Sequence, residues 1–163
     1  MEKIVVLEPG DQAPQLGIPD EIGNIVKIED FKGEWLVLYF YPKDDTPGCT
    51  EEAKCFTRIL PDFSQLRTKV VGISADSVES HQNFKDKYNI KFPLLSDTDN
   101  QVIKRYGVSR SNIKYGKEIE GINRSTFLID PKGVIRQIWK DVNVEGHADQ
   151  VKNELENLSL KHV

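Results

Sequence analysis

Trp35-Leu36-Val37-Leu38-Tyr39-Phe40-Tyr41-Pro42-Lys43-Asp44-Asp45-Thr46-Pro47-Gly48-Cys49-Thr50 is the stretch that decides how this chain folds. The apolar run from Trp35 to Tyr41 reads as a buried strand. Pro42, which has no N–H for a sheet ladder, stops it. After a short polar turn, Pro47 and Gly48 lead into apolar residues at helical spacing, Ala53, Phe56 and Leu60, so a helix begins there. Cys49 therefore stands where a strand hands over to a helix. The first N–H groups of a helix lack intrahelical partners, and the dipole is positive at that end. Such a place favours a thiolate over a thiol, which makes Cys49 a candidate nucleophile.

Working outward, Gly10-Asp11-Gln12-Ala13-Pro14 is an entry loop, Asn24 to Ile28 alternates weakly as a short strand, and Asp30 to Gly33 is a turn. Beyond the Cys49 helix, which Pro61 ends or kinks, Lys69 to Ser74 reads as a second buried strand. Ser77 to Tyr88 is a polar helix capped by Ser77. Phe92 to Ser96 is a short strand, and Pro93 places it at an edge or an irregular start. Asn100 to Tyr106 is a helix closed by Gly107, and residues 108–121 read as a loop containing Gly116 and Gly121. Ser125–Asp130 and Val134–Trp139 flank Pro131-Lys132-Gly133, a hairpin signal. Glu145 to Leu158 forms the last helix. This order, with no linker or repeat, predicts one α/β domain over 1–163: a mixed central sheet flanked by helices.

The composition narrows the classes. With 163 residues, 38% hydrophobic and 29% charged, the chain has the size and balance of a single soluble domain. Its 22 basic and 26 acidic residues give a net charge of −4, and no basic run marks a nucleic-acid partner. No apolar run approaches membrane-span length. The stretch Met1 to Glu8 is too short for a signal-peptide core, so the expected compartment is the cytoplasm. Two cysteines cannot frame a small fold with disulfides; in a reducing compartment they point to catalysis or metal binding. His81, His147 and His162 are far apart in sequence, and neither cysteine has zinc-ligand spacing, so no metal or cofactor is expected. Glu51, Glu52 and Glu145 read as favourable charges in first helical turns. Trp35 and Trp139 read as core or sheet-edge packing.

Pro42, Thr46, Cys49 and the distant Arg124 form a constellation suited to attack on a peroxide. That chemistry needs a stabilised thiolate, donors aimed at the peroxide oxygens and a small pocket that positions the substrate in line. The helix start, the Thr46 hydroxyl and the Arg124 guanidinium supply the first two, and Pro42 walls the pocket. Read alone, Cys49 could equally fill space at the junction, Thr46 could be a turn residue and Arg124 a surface residue.

Pro42-x-x-x-Thr46-x-x-Cys49 resembles the active-site pattern of the peroxiredoxins. The longer string Tyr41-Pro42-Lys43-x-x-Thr46-Pro47-Gly48-Cys49-Thr50-x-Glu52-Ala53 is similar to the PrxQ, or bacterioferritin comigratory protein, subfamily. Gly10-Asp11-x-Ala13-Pro14, Tyr115-Gly116-Lys117, Gly121-Ile122-x-Arg124-Ser125-Thr126-Phe127-Leu128-Ile129-Asp130 and Gly146-His147-Ala148 extend the resemblance over nearly the whole chain. It implies a thioredoxin-like fold with peroxiredoxin additions. It also implies an antioxidant thiol peroxidase: Cys49 becomes a sulfenic acid while hydrogen peroxide or an organic hydroperoxide is reduced. Thioredoxin or another dithiol would regenerate the thiol, and the enzyme would be a monomer.

One position departs from that pattern. The subfamily usually carries its resolving cysteine five residues after the peroxidatic one, where this chain has Lys54; Cys55 follows one residue later. In an intact helix the Cα atoms of residues six apart lie about 10 Å from one another, whereas a disulfide needs roughly 4.4–6.8 Å. A Cys49–Cys55 bond would require the first turns to unwind. Cys55 is thus either the resolving thiol or a half-buried structural residue on the flank of the apolar face. Two other functions share parts of this sequence. A thioredoxin-type disulfide oxidoreductase is disfavoured by the absence of Cys-x-x-Cys at the helix start. A non-enzymatic holdase or redox-signalling role stands as an addition.

Overall fold

In the computed structural model, which describes residues 6–114 and 116–160, the elements begin with β1 (Ile18–Pro19), β2 (Ile25–Val26) and a 3-10 turn (Ile28–Phe31). Next come β3 (Trp35–Phe40), α1 (Pro47–Arg58), α2 (Leu60–Gln65), β4 (Thr68–Ser74), α3 (Val78–Tyr88), β5 (Leu94–Ser96) and α4 (Gln101–Arg105). The chain continues through β6 (Ser109–Lys114), β7 (Lys117–Ile122), β8 (Ser125–Ile129), β9 (Ile135–Trp139) and α5 (His147–Leu160).

β3 lies at the centre of a five-stranded sheet in the order β5-β4-β3-β8-β9. It runs parallel to β4, which runs parallel to β5; β8 is antiparallel to both β3 and β9. Parallel neighbours need crossover connections, and α1 with α2, then α3, supply them. All of β3 is buried, because helices cover both faces of the sheet. Successive strand residues point to opposite sides, and the two faces of β3 sort accordingly. Trp35, Val37 and Tyr39 pack with Phe56 of α1, Phe63 of α2 and Leu155 of α5. Leu36, Leu38 and Phe40 pack with Val102 and Ile103 of α4 and with Tyr106. Each such side chain contributes about 1.5–3 kcal/mol by leaving water, and an uninterrupted apolar run follows from burial on both faces. Gly72 of β4 makes room for the Tyr39 ring: a Cβ there would sit 3.0 Å from that ring and from Leu94.

Most elements lie where the sequence places them. Pro61 falls in the first turn of α2, so the helix breaks at Ile59 and restarts. The Ser77 side chain accepts from the Ser80 N–H at 3.1 Å and caps α3. Trp35 is in the core and Trp139 lies on the edge strand β9.

Three expectations are corrected. Residues 108–121 are not a loop: β6 and β7 pair antiparallel from Ser109↔Ile122 to Lys114↔Lys117. This hairpin is a sheet of its own, and Ser109–Lys114 lacks the apolar alternation by which strands are read. The Asn24–Ile28 strand shrinks to Ile25–Val26, because a 3-10 turn takes over at Ile28. The last helix starts at His147 rather than Glu145. Tyr115, His162 and residues 1–5 lie outside the described residues.

Candidate active site

Cys49 is the third residue of α1, after Pro47 and Gly48, with Thr46 as the N-cap. The Thr50 N–H closes the first turn on the Thr46 carbonyl at 2.9 Å. Cys49 is buried, 1% exposed, under the turn that joins β3 to α1. Both cysteines are free thiols.

Sheet register brings Arg124 to this cysteine. Phe40, the last residue of β3, pairs with Ser125, the first of β8. The chain leaving β3 and the chain entering β8 therefore meet at one end of the sheet, where the carboxyl ends of parallel strands open into a crevice. Arg124 Nη2 lies 3.3 Å from Cys49 Sγ, across 75 residues of sequence. Gly48 suits the same approach, since a Cβ at this position would make a tight contact 3.3 Å from that nitrogen.

Glu52 completes the group. The sequence reads it as a favourable charge in a first helical turn, yet it is 2% exposed, and its Oε1 accepts from Arg124 Nη1 at 2.6 Å. Three residues separate it from Cys49, the helical spacing that puts both on one face, and this was the available signal. The other carboxylate oxygen, the Tyr39 hydroxyl and the Thr50 hydroxyl are buried without a hydrogen-bond partner. Burial pushes the Glu52 carboxyl up from 4.5 to about 7, against the opposing pull of Arg124.

The sign of the resulting pH dependence follows directly. Between 4.5 and about 7 the folded protein holds a proton that the unfolded chain has lost. Stability should therefore fall as pH rises through that window and level off above it. The fall is expected to be on the order of 2–4 kcal/mol. Urea unfolding between about pH 5 and about pH 8 measures it, and Glu52→Gln should flatten the curve while keeping an acceptor for Arg124. An unchanged slope in that variant would assign the effect elsewhere.

The remaining candidates fall around this core. The Thr46 Oγ1 donates to the Lys43 carbonyl at 2.9 Å. Its hydrogen is thus committed, and the hydroxyl offers a bound peroxide an acceptor rather than the donor that the sequence suggested. Pro42 is exposed in the turn above. Cys55 stands on the same helix as Cys49, half-buried, with its thiol directed to Glu51 Oε1 at 3.5 Å. Burial, then the Glu51 carboxylate, pushes that thiol above its ordinary value. It opens on a cleft of about 470 Å³ between α1 and the start of α5, bordered by Gly48, Arg58, Gly146 and Asp149.

Sequence comparison matches residues 9–138 to the AhpC/TSA family. A putative peroxiredoxin bcp of Coxiella burnetii is 48% identical over 149 residues, covering 91% of this chain and 99% of that protein. Peroxiredoxin Bcp of Bacillus subtilis is 41% identical over 157 residues, covering 96% of this chain and 100% of the relative. Among solved structures, the bacterioferritin comigratory protein of Xanthomonas campestris superposes with a TM-score of 0.84 at 42% identity, over 87% of this chain and 90% of that one. That structure captures a trapped intermediate/ligand complex and concerns alkyl peroxide reduction.

Proposed function

This chain belongs to the AhpC/TSA family and is a peroxiredoxin, a thiol peroxidase with a thioredoxin-like fold, and from that premise we propose that Cys49 is the peroxidatic cysteine, served by Arg124, Thr46 and Pro42. The observation that carries the assignment is the guanidinium 3.3 Å from a buried sulfur at a helix start. The Cys49 thiolate attacks one peroxide oxygen. Its electron pair forms the S–O bond as the O–O bond breaks, the sulfur is oxidised to the sulfenic acid, and the departing oxygen takes a proton to become water or an alcohol. Arg124 presents a planar fork that reaches both the sulfur and the oxygen bonding to it. Thr46 receives the O–H of the incoming peroxide, and Pro42 walls the approach. The substrates are hydrogen peroxide and organic hydroperoxides; the alkyl peroxide reduction of the Xanthomonas relative supports the second class.

Thioredoxin or another dithiol returns the site to the thiol, and Cys55 is the resolving residue in one of two routes. Its free thiol and its position on an accessible cleft favour this role. The unbroken α1 between the two cysteines means that helical hydrogen bonds must open first. The alternative is direct attack by an external thiol. It draws support from a yeast mitochondrial 1-Cys peroxiredoxin, 28% identical with a TM-score of 0.79 over 96% of this chain and 78% of that one, whose thiol is resolved via glutathione/thioredoxin systems. Intact-mass analysis after one equivalent of peroxide decides: loss of two hydrogens means a Cys49–Cys55 disulfide, and gain of one oxygen means a sulfenic acid awaiting a donor. Two unreacted thiols would sink the peroxidase assignment for Cys49. The enzyme acts as one domain over 1–163, as a monomer in the cytoplasm; no helix of the described residues is long and apolar enough to cross a membrane.

A further inference from the structure

The turn that carries Pro42 and Thr46 is fastened from beneath by a buried polar cluster that the peroxide chemistry does not use. Asp44, in the middle of that turn, has a side chain only 4% exposed. Its Oδ1 accepts from the Tyr41 hydroxyl at 2.6 Å, and its Oδ2 accepts from Ser80 Oγ of α3 at 2.8 Å. The same Oδ2 meets His81 Nδ1, also on α3, at 2.6 Å. The Asp44 N–H donates to Asp76 Oδ2 at 2.8 Å, and that oxygen also takes the Ser74 hydroxyl at 2.6 Å. The next residue, Asp45, holds a left-handed backbone (φ 61°) and is bound by Lys87 Nζ at 2.8 Å and the Tyr88 hydroxyl at 2.5 Å. Two adjacent residues of the turn are thus tied to α3.

The His81 ring is fully buried, and its two nitrogens face two acceptors: the Asp44 carboxylate and, from Nε2 at 2.8 Å, the Leu95 carbonyl of β5. A carbonyl cannot donate, so Nε2 carries a hydrogen toward Leu95, while Nδ1 lies against Asp44 Oδ2 with the Tyr41 hydroxyl 3.4 Å away. Asp44, Asp76 and His81 also place one ligand atom each within 4.8 Å of one another. The shared hydrogens account for those atoms: Asp44 Oδ2 and Asp76 Oδ2 each accept two bonds, and both ring nitrogens of His81 are spent. The cluster is a closed hydrogen-bond network and not a cation site.

We propose that Asp44 and His81 are positioning residues for the peroxidase reaction: a buried hydrogen-bonded pair that locks the turn onto α3 and β5, so that the Thr46 hydroxyl stays where a peroxide meets Cys49. The proposal rests on the assignment of Cys49 and Thr46 given above. Thr46 lies two residues from Asp44, and its own hydroxyl is bonded back into the turn at Lys43, so a displacement at Asp44 is passed on to the hydroxyl. Arg124 stands immediately before β8 and Glu52 lies on α1, and among the described residues no hydrogen bond of the pair reaches either.

That separation sets the test. Asp44→Asn keeps the shape of the side chain and removes its charge. The second-order rate constant with hydrogen peroxide should drop about tenfold to hundredfold, the scale on which misplacement by an ångström acts. Alkylation of Cys49 by iodoacetamide, which needs the thiolate but not Thr46, should stay within about twofold of the unaltered protein. Where Asp44→Asn fails to fold, Tyr41→Phe keeps the ring, drops one bond to Asp44 and should show the same selective loss in smaller measure. Equal losses in both rates, or no loss in either, would each overturn the proposal. Failure of the unaltered protein to lose the Cys49 thiol to peroxide overturns the peroxidase assignment itself, and is seen separately in the same experiment.

Discussion

Cys49→Ser is expected to abolish peroxide reduction while leaving the fold in place. The serine hydroxyl is not ionised at neutral pH and is a far weaker nucleophile than a thiolate. No other residue can stand in: Cys55 lies six residues along the same helix, half-buried and bonded to Glu51. The fold should survive, because the replacement is nearly the same shape and Arg124 can donate to an oxygen in place of the sulfur. Circular dichroism and urea unfolding check the fold, and coupled peroxide consumption checks the activity. Residual turnover within about tenfold of the unaltered enzyme would mean that the nucleophile lies elsewhere.

The second large effect is expected at Thr46. Thr46→Val keeps the branched shape at the N-cap and removes the oxygen that would receive the peroxide O–H. The N-cap side chain makes no capping bond to α1, so helix stability depends on it little. The bond lost is the one to the Lys43 carbonyl. The peroxide rate should drop about tenfold to thousandfold, the range seen when an orienting or stabilising polar group is removed from a transition state. Thr46→Ser, which restores the hydroxyl, should recover most of it. Stopped-flow loss of the Cys49 thiol measures both variants. An unchanged rate in the valine variant would reduce Thr46 to a turn residue.

What could be read from the sequence, and what could not, divides along physical lines. The central sheet is legible because a strand buried on both faces reads as an apolar run, as Trp35–Phe40 and the Val70–Ile73 stretch of β4 do. The breaks were legible because Pro42, Pro61 and Gly107 restrict the backbone locally. The β6–β7 hairpin was not, because its polar strands pair with each other outside the main sheet. Cys49, Thr46 and Pro42 lie within eight residues and announce themselves together. Arg124 was found through its family motif, while its proximity is a product of strand register. Glu52 belongs to the motif and reads as a favourable first-turn charge; its burial beside Arg124 comes from the packing of α1 onto the sheet. Asp44 and His81 could not have been joined, since nothing local in a polar turn or a polar helix says that two such residues, 37 apart, share a hydrogen bond.

The pairing of Phe40 with Ser125 has a consequence for when this protein becomes an enzyme. The proposed nucleophile, Cys49, belongs to the first third of the chain and Arg124 to the last third. Until β8 docks beside β3, Cys49 is a thiol without its cation. A chain still emerging, or one whose C-terminal strands have peeled away, carries the cysteine but not the reactivity. A slip of one residue in the same pairing would turn Arg124 to the opposite face of the sheet. On the proposed assignment, peroxide reactivity at Cys49 is a chemical report on the pairing of β3 with β8.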